Sequence, residues 1–411
     1  MKKILIKAPI HTRSGYGEQS RFALRALRSR PDLFDIYIQP LEWGKTSWSS
    51  DVSEERQWID GTIEKTIAHI QHGGQFDASF QVTIPNEWQR IAPVNIGFTA
   101  GMETTKVSHQ WIGKGNEVDH IIVVSDHSKH TYANTSYVGQ DQSTNQQVEL
   151  RLETPITTVN YPVKTFDNCP DLDLDLHHDF NFLALAQMGP RKNLPNTVKW
   201  FIEEFKDDEV GLIVKTNMAK NSLMDRERVF NDLKAFTANM PEHKCKVYLL
   251  HGDMTDNEVH SLFDHPKINA LVTLTHGEGF GLPIFEAAYS EMPVVAPGWS
   301  GQLDFLVNKE TGKSEFYNVE YDLQPIPEQV IWEGVIIKDS MWAYPREHSA
   351  KQKMRECFAN FEEAKATAKE LSDRVRTEFS EDIQNAKMVS VVCSAMGLST
   401  DKQDDLIIEF E

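Results

Sequence analysis

Residues 270–293 constrain this chain more than any other stretch. Ala270-Leu271-Val272-Thr273-Leu274 is an apolar run of buried-strand length. It is followed by His276-Gly277-Glu278-Gly279-Phe280-Gly281-Leu282-Pro283. Proline near the start of a helix and Pro293 at its end predict a short helix over 283–292. A strand, a glycine turn and a helix in this order leave free backbone N–H groups at a positive helix end, which is a seat for a phosphate. Glu278 falls in the turn and Glu286 on the first turns of the helix. Two carboxylates flanking such a seat can accept from hydroxyl groups while amides hold the charged centre of a nucleotide.

The rest of the chain has to supply a scaffold for that turn. At 411 residues it exceeds one ordinary domain, so two are expected. Hydrophobic content of 40% and charged content of 25% fit a globular enzyme. The net charge of −19 gives no global attraction to nucleic acid or to an anionic membrane, and only a local basic groove on residues 1–160 would restore it. The four cysteines, Cys169, Cys245, Cys357 and Cys393, have no metal-type spacing and read as reduced thiols. The first residues have a basic head, but Lys7 and Pro9 cut the apolar run short, which predicts a first strand rather than an export signal. No run is long enough to span a bilayer, so a cytoplasmic protein without a membrane span is expected.

Short apolar strands alternate with amphipathic helices along both halves, which predicts parallel, doubly wound sheets. Near the start, Thr12-Arg13-Ser14-Gly15-Tyr16-Gly17 joins a strand to a helix over 18–28, so Gly15 and Gly17 make a second phosphate- or sugar-approaching turn. The loop 97–105 after a strand contains Glu103, read as a site residue or as a helix cap. His109, His120, His127 and His130 lie close together without a cysteine or acidic pair to complete a metal site, and no metal is expected. Residues 139–147 read as an exposed polar loop and 166–179, rich in Asp, as the passage between domains. In the second half, Gly189-Pro190-Arg191-Lys192-Asn193 follows one strand and Lys215 ends the next. Two strands delivering cations to one sheet edge suit a diphosphate. Met254 follows a further strand. Residues 318–348 show no periodicity, 351–376 read as one long helix, and 380–394 as a last helix.

Taken together, Glu278 and Glu286 with the turn between them resemble the Glu-x7-Glu signature of retaining nucleotide-sugar glycosyltransferases of family 4. That resemblance implies the GT-B fold: two Rossmann-like α/β domains facing a cleft, with a C-terminal helix crossing back to the first. On it we place an acceptor-side domain over residues 1–168, a linker over 169–180 and a nucleotide-sugar domain over 181–378. The crossover helix is placed at 379–396 and an acidic tail at 397–411. It implies transfer of a sugar from a nucleoside diphosphate sugar to a hydroxyl of a glycan, lipid-linked or small-molecule acceptor, with no metal or other cofactor. Lys192, Lys215 and Arg191 would hold the donor phosphates. Gly15, Gly17, Met254 and the turn Gly279, Phe280, Gly281 and Leu282 would line the donor, and Glu286 would hold its ribose. Glu278 would hold the donor sugar. Many family members carry a functional histidine in the loop where this chain has Glu103, and Glu103 resembles the glutamate found there in some branches. Trp43, Trp48 and Trp58 read as core or loop anchors, with stacking on an acceptor sugar as the alternative. Readings from other classes are a nucleotide-sugar-binding protein without transfer, a sugar-nucleotide epimerase, and glycosylation of modified DNA bases as in some viral enzymes.

Overall fold

The computed structural model describes residues 1–44, 46–48, 52–140 and 146–399. The first lobe contains β1 (Lys2–Ala8), β2 (Phe34–Pro40), β3 (Ala78–Val82), β4 (Val94–Thr99), β5 (His120–Val123), β6 (Ser136–Gln140), β7 (Gln147–Arg151) and β8 (Ile156–Thr158). Six of them form a parallel sheet in the order β2-β1-β3-β4-β5-β8. β3 is buried along its length: Ala78, Phe80 and Val82 make one face, and on the other Ser79 and Gln81 are satisfied by hydrogen bonds to Asn95 and to the Gln89 carbonyl. The helix Gly15–Arg28 returns the chain from β1 to β2, and the Ser14 hydroxyl caps it by accepting from the Gly17 amide at 3.0 Å. β6 and β7 pair as an antiparallel hairpin where an exposed loop at 139–147 was expected. Residues 141–145 of that expectation lie outside the described residues; its ends belong to strands, and polar composition hid them.

The second lobe contains β9 (Asn181–Leu185), β10 (Gly211–Lys215), β11 (Lys246–Leu250), β12 (Ala270–Val272), β13 (Val294–Pro297) and β14 (Tyr317–Val319). They form a second parallel sheet in the order β11-β10-β9-β12-β13-β14. The order reverses between β9 and β12, so the loops leaving these two strands flank a crevice at their carboxyl ends. The aperiodic stretch at 318–348 contains an antiparallel hairpin, β15 (Tyr321–Pro325) with β16 (Met341–Pro345). It reaches the first lobe, where the Met341 amide donates to the Thr105 hydroxyl at 3.0 Å. The single helix expected over 351–376 is two, Glu347–Ala359 and Phe361–Glu378. Asn360 breaks it, at φ −114 and ψ 44, a residue type that favours helix ends over helix interiors.

Among the described residues the chain passes between the lobes twice. Residues 171–176 alternate Asp and Leu: Leu176 is buried and Leu172 and Leu174 are half-buried, while the three aspartates face solvent. That period-2 burial lays the segment along the second lobe, where Ser261 Oγ donates to the Pro170 carbonyl at 2.7 Å. The last helix, Glu381–Met396, crosses back and packs against the helix Gly15–Arg28. One apolar cluster continues through both lobes, with Tyr161 bridging Phe22 at 6.0 Å and Phe280 at 5.1 Å. The architecture is two Rossmann-like lobes facing a cleft, as expected from the alternation of strands and helices.

Candidate functional site

The turn after β12 sits at the switch point of the second sheet. Its glycines serve close approach. A Cβ on Gly279 would stand 2.2 Å from the Ala100 carbonyl of the first lobe, and one on Gly277 2.5 Å from the Glu103 carbonyl. The turn is therefore pressed against the loop that follows β4. Gly281 adopts φ 94, a left-handed conformation, and precedes the helix Leu282–Tyr289, which no side chain caps. That helix starts at Leu282 and ends at Tyr289, shorter than the expected 283–292.

Glu278 is buried, with its carboxylate held by two cations: Lys192 Nζ at 2.6 Å and Arg191 at 3.0 Å. Its amide donates to Ser300 Oγ at 2.9 Å, and Ser300 in turn donates to Gln302. Burial by itself would raise the Glu278 carboxyl, but Lys192 and Arg191 beside it hold it down at about 2. Arg191 also reaches across to Glu103 at 3.3 Å, so the loop after β4 and the loop after β9 are joined by a carboxylate–guanidinium–carboxylate chain. Burial and the neighbouring Arg191 lower the Lys192 ammonium.

A cleft of about 380 Å³ lies beside this cluster, between the lobes. The second lobe lines it with the ends of β9 and β10, with Gly252 and Met254 after β11, and with Leu282 and Glu286. Lys215 Nζ donates to the Gly252 carbonyl at 2.7 Å, and burial lowers its ammonium from the usual value. Glu286 is fixed by His260, whose Nδ1 lies 3.2 Å from the carboxylate. His260 Nε2 faces Asp264 at 3.5 Å, and its ring stacks on Phe166 with centroids 4.0 Å apart. The first lobe contributes Arg13, Glu18, Arg21 and Lys164. Glu18 pairs with Lys164 at 2.9 Å and Arg21 at 3.1 Å; burial would raise its carboxyl, but these cations hold it at about 2.

Of the residues singled out in the sequence, Lys215, Met254, Leu282 and Glu286 line the cleft. Arg191, Lys192, Glu278 and Glu103 form the ion-paired cluster next to it. Gly279, Phe280 and Gly281 are buried at the lobe interface, with Phe280 against Tyr161. Gly15 has open space where a Cβ would go, whereas Gly17 is packed on its own turn, a Cβ there standing 1.9 Å from the Thr12 carbonyl. Of the clustered histidines, His127 is held to the Thr104 carbonyl at 3.2 Å, and burial lowers it to about 4. Sequence reasoning missed Glu18, Arg21, Lys164, Phe166 and His260. A histidine near the end of a helix carries no signal of a partner 26 residues further on, and the other four reach the cleft only through the docking of the lobes.

No family model matches the chain. One stretch of 118 residues is 29% identical to the serotype-specific mannosyltransferase WbdA of Escherichia coli. That stretch is 28% of this chain and 13% of the relative, so the chain spans a small part of the protein it matches. Solved structures cover nearly all of it. Sucrose-phosphate synthase from Thermosynechococcus elongatus superposes with a TM-score of 0.63 at 12% identity, over 97% of this chain and 100% of that one. A glycosyltransferase from Rickettsia africae gives 0.61 at 14% identity, over 97% and 99%. HepE from Anabaena, in complex with UDP-glucose, gives 0.57 at 12% identity, over 96% and 100%. At these identities the likeness shows the fold, and the fold is GT-B.

Proposed function

We propose that this protein is a retaining glycosyltransferase that moves a sugar from a nucleoside diphosphate sugar to a hydroxyl acceptor without a metal ion. The observation that carries the reading is the cleft at the switch point, where a cation, an uncapped helix start and an anchored carboxylate converge on one space. The mannosyltransferase stretch and the sugar-nucleotide complex of HepE support it.

The chemical burden is the charge that develops on the departing diphosphate. Lys215 and the amides at the start of the helix Leu282–Tyr289 would stabilise that charge. Glu286, oriented by His260, would accept from the ribose hydroxyls. Glu278 would accept from hydroxyls of the donor sugar and set the position of its anomeric carbon, which is catalysis by positioning. In that role Arg191 and Lys192 keep Glu278 ionised and in place, and exchange part of their pairing for the phosphates when donor binds. Glu103, tied to Arg191, stands where the resembled family has its histidine. The acceptor hydroxyl would approach from the first lobe on the leaving-group face, and the diphosphate oxygen would take its proton. Residues 1–168 would form the acceptor-side domain and 181–378 the donor domain.

A reducing, cytoplasmic setting belongs to the same proposal and rests on the four free cysteines. Among the described residues no helix is long and apolar enough to cross a membrane. Thermal-shift titration with UDP-, GDP- and ADP-sugars, followed by product analysis of the best ligand, tests the reading. Stabilisation by one sugar nucleotide and a product with unchanged anomeric configuration are expected. Binding without release of diphosphate would favour the non-catalytic alternative, and an inverted product would remove the retaining assignment.

A further inference from the structure

We propose that Trp43 and Trp48 form a saccharide subsite at the mouth of the cleft, so that the acceptor is an oligosaccharide whose distal unit rests on Trp48. The inference deepens the glycosyltransferase reading and rests on it. An opening of about 450 Å³ is lined by Glu42, Trp43, Thr46, Ser47 and Trp48 of the first lobe and by Lys220 of the second. Trp48 is 51% exposed, although burying an indole of this size is strongly favourable. The segment is nonetheless anchored. The Arg13 amide donates to the Ser47 carbonyl at 2.8 Å, and Trp48 is bridged to Thr12. Trp43 lies on Tyr16 with ring centroids 4.1 Å apart, and Trp48 lies 5.5 Å from the His11 ring. The shelf adjoins the donor cleft, since Arg13 and Asn221, neighbours of Ser47 and Lys220, both line that cleft.

The chemistry of the lining selects the occupant. A pyranose presents an apolar C–H face and a rim of hydroxyls. Two indoles match the face, and one carboxylate, two hydroxyls and one ammonium match the rim. A nucleic acid would also stack on indoles, but the lining offers its phosphates one ammonium, Lys220, offset by the Glu42 carboxylate, on a chain of net charge −19. An aliphatic chain would leave Glu42 and Lys220 without partners.

The test uses the full chain on an array of linear gluco-, manno- and galacto-oligosaccharides of one to five units. In parallel, UDP and GDP are titrated calorimetrically. Wild type should retain oligosaccharides of one series more strongly than the matching monosaccharide. Trp48→Ala should lower retention at least tenfold, and Trp48→Phe should stay within threefold of wild type. Trp332→Ala, at the other tryptophan that is more than half exposed, should change nothing. Nucleoside diphosphate affinity should be the same in wild type and Trp48→Ala, which shows that the variant is folded. Equal retention by wild type and Trp48→Ala overturns the proposal, as does retention of monosaccharides alone or of none. Trp48-dependent retention with silent nucleotide titrations would support the subsite while removing the transferase reading.

Discussion

Lys215 differs from the other two cations of the site in what it touches. Arg191 and Lys192 are both on the Glu278 carboxylate, while Lys215 donates to a backbone carbonyl that a phosphate oxygen can displace at small cost. Lys215→Ala should therefore lower turnover by about two orders of magnitude, the scale for losing one preorganised charge donor. A diphosphate-release assay reads this directly, and near-wild-type turnover would reject the role. His260 would act through Glu286, because its Nδ1–H fixes the carboxylate proposed to meet the ribose. His260→Ala should weaken donor binding about tenfold with little change in kcat, the worth of one charge-assisted hydrogen bond. His260→Gln, which keeps a donor, should recover most of it. A fall in kcat at unchanged KM would place His260 elsewhere in the reaction. Glu278 and Glu286 were readable because they share one strand–turn–helix unit. His260 was not, since nothing in a helix names the carboxylate its side chain will meet.

The turn 276–281 has a packing duty that its sequence does not announce. Its glycine pattern predicted an anion seat, but two of the glycines are there so that the first lobe can approach. Gly279→Ala would drive a methyl group into the Ala100 carbonyl. Overpacking of this kind costs about 1–3 kcal/mol, so the melting temperature should drop by several degrees and donor affinity should fall with it. Gly15→Ala is the contrasting case: its Cβ meets nothing, and stability should be unchanged. Thermal unfolding of the two variants side by side checks both. Element boundaries were legible where apolar periodicity was strong, as in β9 and β10. They were lost where short strands form hairpins, at Ser136–Gln140 with Gln147–Arg151 and at Tyr321–Pro325 with Met341–Pro345. Strands of five residues are too short for their own side-chain pattern to separate them from loop, and each takes its pairing from the other strand of its hairpin.

The two lobes are also joined by a buried carboxylate. Asp304 of the second lobe accepts from the Asp126 amide at 2.9 Å, at the start of the helix Asp126–Ala133, and from Asn160 Nδ2 at 2.8 Å. Burial raises its carboxyl from 3.8 to about 6, against the nearby Lys309. A carboxyl raised in this way favours the folded state fully below its unfolded value, and that contribution is lost as pH rises through the folded one. The shift corresponds to about 3 kcal/mol between pH 4 and 6. Asp304→Asn keeps both accepting contacts without the charge. Its stability relative to wild type should rise across that window and level off above it, which thermal unfolding from pH 4.5 to 7.5 would follow. A pH-independent difference would mean that Asp304 is solvated in the folded protein.

Sequence alone determined the repeated strand–turn–helix units, the parallel sheets they build, and the carboxylate pair and cations at one sheet edge. These are local facts, written in periodicity, in glycine and proline, and in the residue that ends each strand. The docking of the lobes decided the rest. It placed Glu18, Arg21 and Lys164 opposite Lys215, joined Glu103 to Arg191, and pressed the glycine turn against Ala100. Contacts between residues so far apart in the chain depend on how two finished surfaces fit, and no short-range pattern records that fit.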